Sequence, residues 1–228
     1  EALRNDGTAG RVSMVSDPLH GITAVGKFGW KAQVPSLMVF SADAYLNEMG
    51  ITSPIFPNEN CPSGVCDDLY WNPVPAINND GHAIIAFNNF MTMLDAPPRG
   101  KISGEVVAGE KIFGSIGCDS CHTPNMTTGW SDIRALRHKP FHPYSDFLLH
   151  DMGSLGDGIA QGTSDALEMR TAPLWGLRVV TKFLHDGRAL TIEDAILAHD
   201  GQGRAARDRF AALNADAKSK LLAFLNSL

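Results

Sequence analysis

Three stretches in the first half of the chain place apolar residues three and four positions apart, which is the spacing of one helix face. The first runs from Pro35 to Met49 and is followed by Gly50, a residue type that often ends helices. The second lies between 83 and 94 and stops before Pro97-Pro98. The third, Val106 to Ile116, runs directly into a pair of cysteines. Each stretch is therefore predicted to be a helix.

Two more helices are predicted near the C-terminus, each beginning at a residue that caps helices. Thr191 begins a short one, with Asp194 three residues later as in a capping box. Asn214 begins the last one, and its apolar face consists of Ala217, Leu221, Phe224, Leu225 and Leu228. No run of alternating apolar and polar residues predicts a strand. The sequence predicts a mostly α fold with long loops.

Loop-rich segments separate these helices and suggest two domains. Residues 51–80 and 123–165 are irregular, apart from a short helix expected near Asp146 to His150. The clearest boundary precedes the third helix, so we predict an N-terminal part over residues 1–102, loop-rich and helical, and a second domain over residues 103–228.

Composition narrows the classes of function. The 228 residues are 44% hydrophobic and 19% charged, which is enough for a buried core. A formal net charge of −6 gives no support to binding of nucleic acid or of an anionic membrane. No run of about 18 apolar residues predicts a membrane span. The residues after Glu1 lack the basic stretch and apolar core of a signal peptide, as in a mature exported protein or a cytoplasmic one.

The sequence Cys118-Asp-Ser-Cys121-His122 carries the chemistry. Two thiols three positions apart can each form a thioether with one haem, and the adjacent histidine can then bind the iron from one face. We therefore predict one covalent haem c per chain, in a cytochrome c-like helical domain. The preceding helix carries Gly109 and Gly114, which would permit a close helix crossing beside the apolar cleft that haem needs.

Other readings of the cysteine pair stay open. They are a redox dithiol, a surface disulfide and a zinc site. A thioredoxin-type dithiol normally opens a helix after a strand, whereas this pair follows a helix. A zinc site needs four ligands, and the four cysteines of the chain supply that number: Cys61, Cys66, Cys118 and Cys121.

The second axial ligand has six candidates: Met126, His150, Met152, Met169, His185 and His199. His199 continues the apolar face of the helix that Thr191 begins, because it lies seven residues after Ile192. A core histidine bonded to a backbone carbonyl is the alternative. If both His122 and His199 ligated the iron, the iron would be six-coordinate and its role would be electron transfer. Met152 as the sixth ligand would instead raise the reduction potential. Haem propionates could be contacted by His185, Arg170 and Arg188.

Several stretches of the chain resemble one protein family. Arg170–Leu177, Phe183–Arg188 and Thr191–His199 are similar to the second haem domain of bacterial di-haem cytochrome c peroxidases. The closest resemblance is to the di-haem oxidoreductase family once labelled thiol oxidoreductases. Three further stretches share its patterns: Gly26–Ala32, Asn47–Ser53 and Tyr144–Gly153.

The resemblance implies a role for His199. The matching residue is the methionine that ligates the electron-transferring haem in the peroxidases, and a tyrosine in the related tryptophylquinone-forming enzyme. A histidine here departs from both and implies a bis-histidine haem, with iron held by His122 and His199. The family carries two Cys-x-x-Cys-His motifs, with the peroxide-binding haem on the N-terminal one, whereas this chain has one. No catalytic residue is therefore expected in it.

The resemblance thus implies the electron-transfer, C-terminal part of a periplasmic, peroxidase-like di-haem oxidoreductase. Its partner would be a redox protein or a second haem domain, and residues 1–102 would be the remnant of the upstream domain. A free-standing mono-haem cytochrome c carrier is the alternative, and a zinc-stapled structural module is a third. Because haem c is attached after export, a disulfide between Cys61 and Cys66 is expected, with free thiols as the alternative.

Overall fold

A computed structural model describes residues 8–61, 64, 74 and 76–228. The chain divides into two compact units. One unit is Ser13–Asp95, and the other combines Ala96–Leu228 with the N-terminal segment that ends at Val12. None of the helices in the described ranges has both the length and the apolar character that crossing a bilayer requires.

In its described residues, the unit Ser13–Asp95 contains one hairpin and two helices. Strands β1 (Met14–Asp17) and β2 (Ile22–Val25) pair in antiparallel register. Helix α1 (Leu37–Met49) packs against α2 (His82–Thr92). Gly50 ends α1 in the left-handed conformation, with φ of 64°, as expected from a glycine at that position.

The other unit is built around its C-terminal helix. It contains α3 (Gly104–Ser115), α4 (Ile192–Leu197), α5 (Arg204–Ala211) and α6 (Ala215–Leu225). Helices α3 and α6 form the main packed pair, and the core between them includes Phe113, Leu221 and Phe224. The predicted caps are confirmed, because Thr191 accepts from Asp194 N–H and Asn214 accepts from Ala217 N–H.

Short strands and tight turns fill the loops of this unit. Strand β3 (Met126–Thr127) pairs with β4 (Pro140–Phe141), and β5 (Leu149–Asp151) pairs with β6 (Glu168–Arg170), both antiparallel. Four 3₁₀ helices lie between the main elements: Cys118–Ser120, Gly153–Leu155, Leu177–Val179 and Gly201–Gly203.

The prediction of a mostly α fold is wrong. Of the residues that the structure describes, 35% are helical and 12% are strand, in three small sheets, so the fold is mixed α/β rather than a helical cytochrome c-like fold. Strands of two to four residues are too short to show alternation. The helix expected near Asp146 to His150 is also absent, because Leu149–Asp151 is strand β5 and Phe147 has φ of 58°.

Gly109 lies at the crossing of α3 and α6. A Cβ atom built on it would lie 2.0 Å from the Lys220 carbonyl oxygen, so only glycine allows this approach. The predicted close crossing is therefore present at Gly109. Gly114 lies away from the crossing, because the atom nearest to a Cβ built on it would be an Asp119 side-chain oxygen at 3.4 Å.

The first cysteine pair lies in the unit Ser13–Asp95. Cys61 is disulfide-bonded, whereas Cys66 lies outside the described residues. A disulfide removes the Cys61 thiolate from the four-cysteine zinc alternative.

Candidate functional site

The second cysteine pair follows α3 directly. Helix α3 ends at Ser115, Gly117 reverses the chain with φ of 85°, and the 3₁₀ helix Cys118–Ser120 carries the first thiol. Cys118 packs against the hydrophobic core. Burial, and then the charge of Asp119, raises the pKa of its thiol to about 12. Both Cys118 and Cys121 are half-buried free thiols, which suits attachment to a large apolar group.

His122 is held as a neutral ring with one nitrogen committed. Its Nδ1 lies 2.8 Å from the Tyr144 carbonyl oxygen, which only accepts, so Nδ1 carries the proton and donates. Burial, and then the neighbouring His199, lowers the pKa of His122 to about 4. The unprotonated nitrogen is therefore Nε2, whose lone pair is available to a metal ion. The Phe113 ring lies 6.2 Å from the His122 ring.

His199 presents the same chemistry from a different element. It lies just after α4, and its Nδ1 donates to the Ala195 carbonyl oxygen at 2.8 Å. Burial lowers the pKa of His199, so this ring too is neutral with its lone pair on Nε2. An ordinary core histidine would also bond to a backbone carbonyl. Here that bond engages Nδ1, and it therefore leaves Nε2 available to a metal ion.

The two histidine rings lie close together. Their centroids are 6.4 Å apart, with the ring planes at 57°. Metal–imidazole bonds are about 2.0–2.1 Å long, so this spacing has room for one metal ion bound to both rings. Of the candidate ligands named from the sequence, the structure brings His122 and His199 together beside the cysteine pair.

His150 cannot serve as an iron ligand in its present state. Its Nδ1 lies 2.8 Å from the Gln202 side-chain oxygen, and its Nε2 lies 2.9 Å from the Asp146 carboxylate. The Gln202 oxygen is the acceptor, because it also receives the Ala9 N–H. Burial opposes a charge on His150, but bonds to Asp146, Cys121 and Gln202 raise its pKa to about 10. Both nitrogens therefore donate, and no lone pair remains.

This histidine also belongs to a cluster with metal-binding potential. Donor atoms of Cys121, Asp146 and His150 lie within 4.8 Å of one another. Structural zinc sites use four protein ligands, and within the described part of the chain this group offers three. Attachment of haem to Cys121 would remove its thiolate from such a site.

The remaining candidate ligands lie in different environments. Met169 is buried on β6, Met126 is on β3, and His185 is in a turn. Met152 lies near His199, because both side chains approach Gly203. A Cβ atom built on Gly203 would lie 3.2 Å from the Met152 Cε and 3.2 Å from the His199 Cδ2.

The two arginines proposed for haem propionates differ in their contacts. The Arg170 guanidinium lies 5.8 Å from the Phe147 ring centroid, and burial lowers its pKa. Arg188 is exposed and pairs with Asp186. Neither contact is to the histidine pair.

Three residues near His122 were not identified from the sequence. Tyr144 supplies the carbonyl that binds His122, and its hydroxyl donates to Glu110 at 2.6 Å. Arg99 lies against the same ring, 6.0 Å from its centroid. They lie 22, 12 and 23 positions from His122 in the sequence, so no local spacing links them to the motif.

The donor set fits a c-type haem. Two thiols on one turn could anchor the group, and the two neutral imidazoles, with ring centroids 6.4 Å apart, could both ligate its iron. The site adjoins an apolar core that includes Phe113 and Ile192, as an apolar macrocycle requires.

Comparison with known proteins identifies the family. Residues 8–228 match the family described as "Di-haem oxidoreductase, putative peroxidase". Comparison with curated proteins gives no match. Among solved structures, hydrazine synthase of Kuenenia stuttgartiensis is similar at 19% identity and a TM-score of 0.47, over 67% of this chain and 57% of that chain. That similarity spans less than two thirds of the hydrazine synthase chain and supports no argument about function. Because the family match covers nearly the whole sequence, the chain belongs to the di-haem oxidoreductase family, whose activity is haem-based redox chemistry.

Proposed function

We propose that this chain binds one haem c covalently through Cys118 and Cys121, and that His122 and His199 ligate its iron. The haem would transfer electrons within a peroxidase-like di-haem oxidoreductase. The observation that carries the proposal is the pair of neutral histidine rings at 6.4 Å. Each ring has Nδ1 committed to a backbone carbonyl and Nε2 free to bind metal.

The protein's own residues define what the site does. With His122 and His199 both holding the iron, the haem would supply one-electron transfer and would offer no site for peroxide. The carbonyls of Tyr144 and Ala195 fix the ring orientations, which limits rearrangement between oxidation states. The His150 ring lies 3.6 Å from the Cys121 sulfur, and its contact with the Asp146 carboxylate holds it beside the attachment point.

The partner and compartment belong to the same proposal. Electrons would come from, or pass to, a redox protein or a second haem domain, because this chain carries one attachment motif. Covalent attachment of haem c implies a periplasmic or otherwise exported protein. The disulfide at Cys61 supports an oxidising compartment.

Absorption spectroscopy tests the haem. The protein is produced in a strain with haem-attachment machinery and is denatured in alkaline pyridine. We expect a c-type haemochrome at one haem per chain, and a low-spin native spectrum without the methionine–iron charge-transfer band. A protein that stays colourless in that strain would contradict the proposal.

Variants of two histidines test the ligand assignment. His199→Ala is expected to convert the low-spin haem to a high-spin or five-coordinate form while leaving the haem attached. The matched control is His142→Ala, because His142 lies in the same unit, is exposed and bonds to Asn125. Low-spin haem in His199→Ala identical to the wild type would remove His199 from the site.

A free-standing mono-haem carrier is the second candidate. It is favoured by the single Cys-x-x-Cys-His motif, where the family name implies two haems. The coding sequence upstream of Glu1 separates the two candidates. A second attachment motif there supports the di-haem oxidoreductase, and a signal peptide alone supports the carrier.

A further inference from the structure

The Tyr144 side chain is fixed by contacts with two helices of its unit, α3 and α6. Its hydroxyl donates to Glu110 on α3 at 2.6 Å. Its ring meets Phe113 of α3 at 6.1 Å and Phe224 of α6 at 5.5 Å, both edge to face. The ring is 3% exposed. A tyrosine held by both its ring and its hydroxyl has little freedom to move.

Arg99 completes this arrangement. Its guanidinium lies 6.0 Å from the Tyr144 ring centroid and 5.6 Å from that of Phe224. One terminal nitrogen lies 3.4 Å from the Tyr144 hydroxyl, and the other donates to the Ser227 hydroxyl at 2.9 Å. The arginine therefore joins the tyrosine to Ser227, just after α6.

The backbone of Tyr144 is in a conformation that needs such support. Its φ is 49°, in the left-handed region that residues with a Cβ seldom adopt. Residues persist there only where the surroundings over-determine them. This conformation occurs at the residue whose carbonyl oxygen accepts from His122 Nδ1.

We propose that Tyr144, anchored by Glu110 and Arg99, is a positioning residue that fixes the carbonyl bonded to His122 and thereby sets the donor strength of His122 toward the haem iron. The inference rests on the proposed function, because it needs His122 as an iron ligand. A firm Nδ1–H bond to a fixed acceptor raises the basicity of the ligating nitrogen. A more basic ligand favours the ferric state, so the anchored tyrosine lowers the reduction potential.

Neighbouring backbone bonds offer a competing explanation. Ser145 N–H donates to the Thr123 carbonyl at 3.0 Å, and Asp146 N–H donates to the Cys121 carbonyl at 2.8 Å. If these bonds alone hold the loop, the Tyr144 hydroxyl has no influence on His122. The two explanations differ in what removal of that hydroxyl does.

The test uses the haem-loaded protein and the variant Tyr144→Phe, which keeps the ring and its packing. We expect a reduction potential more positive than that of the wild type. We also expect the His122 Nδ1 proton, followed by NMR in the reduced state, to exchange faster by up to about tenfold, because the free energy of the lost Tyr144–Glu110 bond limits how far the carbonyl is loosened. Tyr45→Phe is the matched control, because that tyrosine lies on α1 in the other unit.

Variants of Glu110 separate anchoring from packing. Glu110→Gln keeps an acceptor and is expected to leave the proton exchange near the wild-type rate. Glu110→Ala removes it and should match Tyr144→Phe, with no further change in the double variant because both break the same bond.

The outcomes are distinct. A potential and an exchange rate in Tyr144→Phe equal to those of Tyr45→Phe would overturn the positioning role while the haem proposal stands. A wild-type protein without a c-type haemochrome would overturn both.

Discussion

Replacing Gly109 with alanine tests the crossing that supports the site. A Cβ there would lie 2.0 Å from the Lys220 carbonyl oxygen, 2.6 Å from its carbonyl carbon and 2.8 Å from Phe224 Cβ. Real Cβ contacts essentially never fall below 3.0 Å. The closest atoms are backbone, so no side-chain rotation relieves the clash, and α6 must move away by about 1 Å.

The energetic cost follows from that displacement. Overpacking of a well-packed core costs about 1–3 kcal/mol, and a clash with backbone belongs at the upper end. Alanine in place of glycine within a helix stabilises the folded state by about 0.5–1 kcal/mol, which offsets part of this cost. We therefore expect Gly109→Ala to lower the free energy of unfolding by about 2 kcal/mol.

Gly114→Ala is the matched control on the same helix. Its nearest neighbour would be the flexible end of Asp119 at 3.4 Å, so only the gain in helix propensity remains. We expect stabilisation of about 0.5–1 kcal/mol. Urea unfolding followed by circular dichroism measures both variants. If Gly109→Ala proved as stable as Gly114→Ala, the argument that this crossing depends on glycine would be refuted.

Three further predictions concern other parts of the chain. Thr191→Ala removes the cap of α4 and is expected to cost about 1 kcal/mol in urea unfolding, with Thr191→Ser restoring most of it. The pKa of Asp17 is lowered, chiefly by its hydrogen bond from His20. The Asp17 carboxylate therefore contributes its full stabilisation above about pH 4, and the deficit of Asp17→Asn seen at pH 7 should shrink as the pH falls from about 4 through the lowered pKa of Asp17. His150→Ala removes the imidazole donor of the half-buried Asp146 carboxylate, which keeps the Leu148 N–H, and calorimetry should show a loss of about 2 kcal/mol with the haem spectrum unchanged.

Local signals explain which parts of the fold could be predicted. The caps at Thr191 and Asn214 and the stop at Gly50 depend on residues within one helical turn, and the structure contains all three. The pairing of β5 with β6 joins residues 17 to 21 positions apart over three pairs, and no short window of sequence records it. The result was a predicted helix where the chain forms a strand.

The residues of the candidate site also differ in whether local sequence or tertiary contacts determine them. The order Cys118, Cys121, His122 is local chemistry and can be read from five residues, and His199 follows from the face of one short helix. The hydrogen bonds that orient the two histidine rings differ in kind. His199 bonds to Ala195, four residues earlier in its own capped helix, whereas His122 bonds to Tyr144 across a loop. The first bond is set by helix geometry and was within reach of the sequence. The second depends on tertiary contacts of Tyr144 on α3 and α6, so only the folded unit defines it, and it is the bond that mutation of distant residues can change.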